Sequence, residues 1–153
     1  MEKLHANTLE IPVAWEQIEP VEGRFDFSYV DTLLKQSRAH GLRLVLLWFG
    51  AYKNTSPSYT PSWVKRDHAR FPHLVNSKGE TWYALTPIAQ TTADADSKAF
   101  AALMRRVRCY QDDQPADSQC GPIHELPLQL LAVGGEILHV IKWDLGLQTE
   151  NKG

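Results

Sequence analysis

Gly41-Leu42-Arg43-Leu44-Val45-Leu46-Leu47-Trp48-Phe49-Gly50-Ala51-Tyr52 is the stretch whose reading decides the fold. Its apolar run is far too short to cross a bilayer. It has the length of one buried strand, expected over residues 43–49. Working back towards the N-terminus, Ser28 and Asp31 form a capping-box pattern. Val30, Leu33, Leu34 and Ser37 then recur at helical spacing. Gly41 stands where a left-handed helix cap belongs, and the strand starts two residues later. Further back, Pro20 to Gly23 reads as a turn. Residues 8–15 read as a second strand, with Leu9, Ile11, Val13 and Trp15 on one face and Glu10, Pro12, Ala14 and Glu16 on the other. Pro12 lacks a ladder donor, which argues against a central position. Strand, helix and strand in this order make a βαβ unit, and in a parallel barrel the chemistry gathers where strands end.

Working forward, residues 51–90 read mainly as a loop, broken by Pro57, Pro61, Pro72 and Pro87. A short helix is expected at Pro61–Asp67, capped by Thr60 with Pro61 in its first position. Asn76-Ser77-Lys78-Gly79 reads as a turn. Six Trp, Tyr or Phe rings between Tyr52 and Tyr83 argue that this excursion is packed. A second helix is expected over 92–108, with Thr91 and Asp94 as its cap. Ala99, Phe100, Leu103, Met104 and Val107 would form its buried stripe, and Arg105, Arg106 and Arg108 would suit the C-terminal end of its dipole. After Cys109 the pattern changes. Residues 110–122 read as a polar linker. Residues 126–143 read either as a hairpin, Leu128–Val133 with Glu136–Trp143, or as one strand with an amphipathic segment. No internal repeat is present.

The chain has 153 residues and a formal net charge of −2. That length buries one core. The charge gives no basic footprint for nucleic acid. Met1 to His5 lacks the apolar region of a signal peptide, and the chain is expected to be soluble, with no membrane partner and no compartment assigned. Cys109 and Cys120 are its two cysteines and define no disulfide framework. His124-Glu125 lacks the second His of a zinc-binding helix, and the cysteines and histidines show no ligand spacing, so no metal or other cofactor is expected. No serine nucleophile elbow or phosphate loop is present.

Trp15-Glu16-Gln17-Ile18-Glu19-Pro20-Val21-Glu22-Gly23-Arg24-Phe25-Asp26-Phe27 resembles the W-x-x-x-E-P-x-x-G-x-F-x-F pattern that follows the second strand of β-galactosidase-type barrels, glycoside hydrolase families 35 and 42. Gly41 to Leu47 resembles their third strand, Gly50-Ala51-Tyr52 their G-x-Y, and Tyr59-Thr60-Pro61-Ser62-Trp63-Val64 the loop ending P-x-W-V. The likeness covers about residues 4–108. It implies an α/β fold: residues 1–108 as part of a (β/α)₈ TIM barrel with a parallel βαβ unit and a long aromatic loop. Residues 109–153 form an unrelated-looking tail.

The implied activity is retaining hydrolysis of O-glycosyl bonds, which uses two carboxyl groups about 5–5.5 Å apart. In these families the acid/base is the Glu of an Asn-Glu pair ending the fourth strand, and the nucleophile is a Glu ending the seventh. No Asn-Glu dipeptide occurs in the chain. The expectation is therefore an N-terminal fragment without its catalytic pair, inactive alone, whose tail comes from a truncated, frameshifted or mispredicted frame. Pro12 and Asn54-Thr55-Ser56 stand where many family 35 enzymes carry a Tyr and a Cys-Ala-Glu that touch galactose. These departures imply a divergent subgroup or a different sugar.

The candidate substrate-binding residues are Glu16, Trp48, Tyr52 and Asn54. Glu16 offers a carboxylate to a sugar hydroxyl, against a solvated strand-end charge. Trp48 offers a stacking face, against buried packing. Tyr52 and Asn54 supply a hydroxyl and an amide to orient a ligand. Glu19 is read as structural, pairing with Arg24 or accepting backbone N–H groups before Gly23. The other reading of the chain is a non-catalytic module that binds carbohydrate or protein. Exposed strand edges would allow self-association.

Overall fold

The computed structural model describes residues 6–51, 59–86, 88–111, 129–133 and 136–142. Strand β1 (Thr8–Ala14) and strand β2 (Arg43–Phe49) lie side by side and parallel, in unbroken register from Thr8 opposite Arg43 to Ala14 opposite Phe49. The one-turn helix α1 (Trp15–Ile18) and the helix α2 (Ser28–Ala39) connect them. The βαβ expectation therefore holds, with the first strand stopping at Ala14 and Trp15 opening α1. The Ala14 N–H donates to Gln17 Oε1 at 2.9 Å, which bends the chain out of the strand and into that turn.

Among the described residues β1 is an edge strand, which accommodates Pro12: the sheet order is β1-β2-β6-β5. Strands β5 (Gln129–Val133) and β6 (Glu136–Lys142) form an antiparallel hairpin, and β6 runs antiparallel to β2. Of the two readings of residues 126–143, the hairpin is the one observed. In an all-parallel barrel both neighbours of β2 would run in its direction. Among the described residues the fold is thus a mixed α/β sheet containing one parallel pair.

Alternation assigns the two faces of the parallel pair. Val13, Leu44, Leu46 and Trp48 are buried against the helices, together with Val30 and Leu34 of α2. Each such side chain contributes about 1.5–3 kcal/mol on burial. Glu10, Pro12, Val45, Leu47 and Phe49 occupy the opposite face and are half-buried or exposed.

The end of α2 is the turn expected of Gly41. Its φ is 63°, its N–H donates to Arg38 O at 3.2 Å, and the Leu42 N–H donates to Ser37 O at 2.9 Å. These are the two bonds of a Schellman cap. The start of α2 differs from expectation. Phe27 is the cap residue and makes no side-chain cap bond; instead Asp26 Oδ1 accepts the Ser28 N–H at 2.9 Å. Asp31 is drawn away by a stronger partner, the guanidinium of Arg106, through two bonds of 2.8 and 2.6 Å.

Helix α3 (Ser62–Arg66) starts one residue later than the proline-led reading, with Pro61 as its cap. The stretch read as loop also holds a hairpin of β3 (His73–Val75) and β4 (Thr81–Leu85) around the expected Asn76–Gly79 turn. Gly79 has a φ of 81°, a conformation open to glycine at little cost. Helix α4 (Gln90–Gln111) is longer than expected at both ends. Its stripe is as read: Ala99, Leu103, Met104 and Val107 are buried and Phe100 packs beside them. Thr91 lies inside it, and its hydroxyl donates to Arg70 O rather than capping. Arg106 likewise lies inside α4, leaving Arg108 as the basic residue of the last turn.

Candidate functional site

The parallel pair delivers two chain segments to one end of the sheet: Ala14 into Glu16, and Phe49 into Gly50 and Ala51. The segment returning at Tyr59 closes over them. The Glu16 N–H donates to Tyr59 O at 2.9 Å, and the ring of Tyr59 meets that of Phe49 at 4.8 Å with the planes 60° apart. This puts Glu16, Phe49 and Tyr59 at the strand-end rim.

Glu16 is in the first turn of α1, where a carboxylate suits the helix dipole. Its Oε2 accepts from Lys65 Nζ of α3 at 2.9 Å, with 46% of the Glu16 side chain and 38% of the Lys65 side chain exposed. The carboxylate is therefore accessible, oriented, and beside a cation that the sequence reading did not single out. Tyr52 and Asn54 lie outside the described residues.

Trp48 does not join this rim. It shares its face with Leu44 and Leu46, so it turns towards α4 and keeps only 4% exposure. Its ring packs on Phe100 at 5.8 Å, and its Nε1–H donates to Asp96 Oδ1 at 2.7 Å. Of its two readings, packing is the one observed. A sugar platform needs an open face, and strand parity directs this ring into the core.

Asp96 is the residue that sequence reasoning missed. Besides Trp48, it accepts the Ala51 N–H through Oδ2 at 2.8 Å. It thereby holds the first residue of the loop that leaves β2. The approach depends on Gly50: a Cβ there would come within 2.3–2.7 Å of the Asp96 carboxylate. A glycine ending an apolar strand was the available signal, since it marks a close approach.

Glu19 behaves as read, with a change of partners. It is 2% exposed, its Oε1 accepts the Gly23 N–H at 2.8 Å, and its Oε2 accepts Trp15 Nε1–H at 3.0 Å. Gly23 has a φ of 74°, which frees the turn to present that N–H. The Glu19 carbonyl accepts Trp63 Nε1–H at 3.1 Å. Rings then continue edge to face, Trp15 to Trp63 at 5.8 Å and Trp63 to Phe71 at 5.6 Å, joining the rim to the start of β3. The W-x-x-x-E-P stretch and the P-x-W stretch, which the resemblance quoted separately, are thus in contact through Glu19.

Those motif residues pack together around the end of a parallel strand pair. The Glyco_hydro_42 family model, described as beta-galactosidase, matches residues 1–106. The chain belongs to this β-galactosidase family. No curated protein matches it. The family is one of glycoside hydrolases, so carbohydrate is its substrate class. The match ends inside α4 and takes in every element from β1 to that helix. Among the described residues no group of three or more His, Cys, Asp or Glu is arranged to hold a metal, and no helix is long and apolar enough to cross a membrane.

Proposed function

We propose that the strand-end rim of this chain is the sugar-holding part of a retaining β-galactosidase-like barrel, and that the chain by itself does not turn over glycosides. The observation that carries this is the family match over residues 1–106, which contains the whole parallel pair and both loops that leave it. Glu16 accepts a sugar hydroxyl, with Lys65 beside it fixing the carboxylate and free to donate to the same sugar. Tyr52 and Asn54 add a hydroxyl and an amide from the loop whose first residue Asp96 holds. Trp48 acts from behind the rim, donating its indole N–H to the Asp96 carboxylate that holds that loop start.

The bond-breaking acids are assigned to no residue of this chain. Asp96 engages the Trp48 and Ala51 N–H groups, Glu19 engages those of Trp15 and Gly23, and Glu16 faces Lys65. The family's Asn-Glu pair does not occur in the sequence. The test is calorimetric binding of lactose together with release of the aryl group from an aryl β-galactoside. Lactose is expected to bind, Glu16→Gln to weaken it about tenfold (about 1.4 kcal/mol), and no steady aryl release to occur. Absence of binding overturns the rim assignment, and steady turnover lost in Glu16→Gln overturns the inactivity.

A further inference from the structure

The hairpin of β3 and β4 contains an irregularity in its register. His73 is opposite Leu85 and Val75 is opposite Thr81, so β3 advances two residues while β4 advances four. The surplus residues form a bulge holding Trp82 and Tyr83. In a regular strand, neighbouring side chains point to opposite faces. Here the two rings lie side by side, with centroids 5.4 Å apart and planes inclined at 37°. Each residue is 49% exposed, while Ala84 and Leu85 just beyond them are buried. Bulges re-aim side chains in this way, and they are frequent beside functional sites.

The bulge is also held in place. His73 Nδ1–H donates to Trp82 O at 2.9 Å, and the His73 ring stacks on His68 at 4.4 Å. The Thr86 N–H donates to Pro72 O at 2.9 Å across the open end of the hairpin. The hairpin belongs to the connection that leaves the C-terminal end of β2, and the Trp15–Trp63–Phe71 ring series ties its base to the rim. In a parallel β/α architecture such connections line the ligand-binding end.

We propose that Trp82 and Tyr83 form an outlying sugar platform that stacks a ring of a β-linked oligosaccharide beyond the unit held at the strand ends. This rests on the carbohydrate reading of the rim given above. Two features select a saccharide as the occupant. Half-exposed aromatic faces offer an apolar body with a polar edge, which matches the C–H face and hydroxyl rim of a pyranose. The bare area of the two rings is on the order of 200 Å², well short of the roughly 800 Å² per partner that a stable dimer buries. A single sugar ring needs no more than that.

The experiment is calorimetry on the full chain with lactose and with β-1,4-galactotetraose, comparing wild type, Trp82→Ala and Tyr83→Ala. The wild type is expected to bind the tetrasaccharide more tightly than lactose. Each substitution is expected to weaken the tetrasaccharide about tenfold and to leave lactose within about twofold. Retained lactose binding also shows that the variants fold. The Trp82 indole N–H resonance, identified by its loss in Trp82→Ala, is expected to shift with the tetrasaccharide and not with lactose. If lactose binds but the tetrasaccharide binds no better, or both substitutions leave it unchanged, the platform is overturned and the rim stands. If neither saccharide binds the wild type, the rim reading itself fails. A change of sedimentation coefficient in Trp82→Ala would make a second copy of the chain the occupant, and would overturn the saccharide.

Discussion

The carboxylate of Asp96 reaches from α4 to the indole N–H of Trp48 at 2.7 Å, and its other oxygen takes the Ala51 N–H at 2.8 Å. One side chain thus fastens the end of β2 and the start of the loop beyond it. Gly50 leaves the space for this, because a Cβ would sit 2.3 Å from one carboxylate oxygen. Asp96→Ala strands a buried indole N–H and is expected to cost about 2–4 kcal/mol in urea unfolding. Gly50→Ala is expected to cost a similar amount by displacing the carboxylate. In an Asp96→Ala background Gly50→Ala should add little, since the conflict is already gone. Full additivity of the two would show that the glycine serves another purpose.

Asp31 and Arg106 pin α2 to α4 through a paired contact, with side-chain exposures of 21% and 17%. Arg106→Ala leaves a half-buried carboxylate alone and is expected to destabilise by about 2–3 kcal/mol. Arg106→Lys keeps the charge but loses the fork geometry, so about half that loss is expected. Replacing both residues with leucine is expected to recover most of the loss, because the desolvation of two charges disappears with them. Thermal unfolding of the four proteins decides this, and a double variant as unstable as Arg106→Ala counts against it.

The parts legible in the sequence were those set by local chemistry. The strand at Leu44–Phe49 shows itself as an apolar run between a glycine cap and a glycine break, and Gly41 marks the Schellman turn by its φ requirement. The stripe of α4 follows from its 3.6-residue spacing. What eluded the reading is long-range. Asp31 looks like a capping residue until α4 brings Arg106 beside it, 75 positions away. Trp48 looks like a rim residue until strand parity turns it to Asp96, 48 positions on. The hairpin of β3 and β4 has too short and irregular an alternation to register as strands, because its bulge breaks the period of two. Of the four candidate site residues, Glu16 is at the rim, Trp48 is beneath it, and Tyr52 and Asn54 lie outside the described residues.

Glu16 and Lys65 illustrate a pair whose value lies in orientation. Both side chains are substantially exposed, at 46% and 38%, and such pairs stabilise by about 0.2–1 kcal/mol at most. Lys65→Met is therefore expected to leave urea stability within about 1 kcal/mol. It frees the Glu16 carboxylate to rotate, and lactose affinity is expected to fall a few-fold, with the remaining affinity less sensitive to salt. An unchanged lactose isotherm together with a large stability loss would reverse the two roles, making the pair structural.

Asp26 provides a pH signature. Hydrogen bonds from the Ser28 side chain and from its N–H hold the Asp26 pKa below the ordinary 3.8. A carboxyl whose pKa is lower in the folded chain than in the unfolded one stabilises fully above the unfolded value, and this is lost as pH falls through the folded value. The urea midpoint of the wild type should therefore exceed that of Asp26→Ala at neutral pH. The gap should narrow below about pH 4 and be smallest once the folded carboxyl is protonated. Glu22 is held low in the same sense by its hydrogen bonds to Arg70, so Arg70→Ala should show a second narrowing in the same acid range. A gap of constant size from pH 7 to pH 3 would mean that Asp26 acts on the start of α2 through its shape and not its charge.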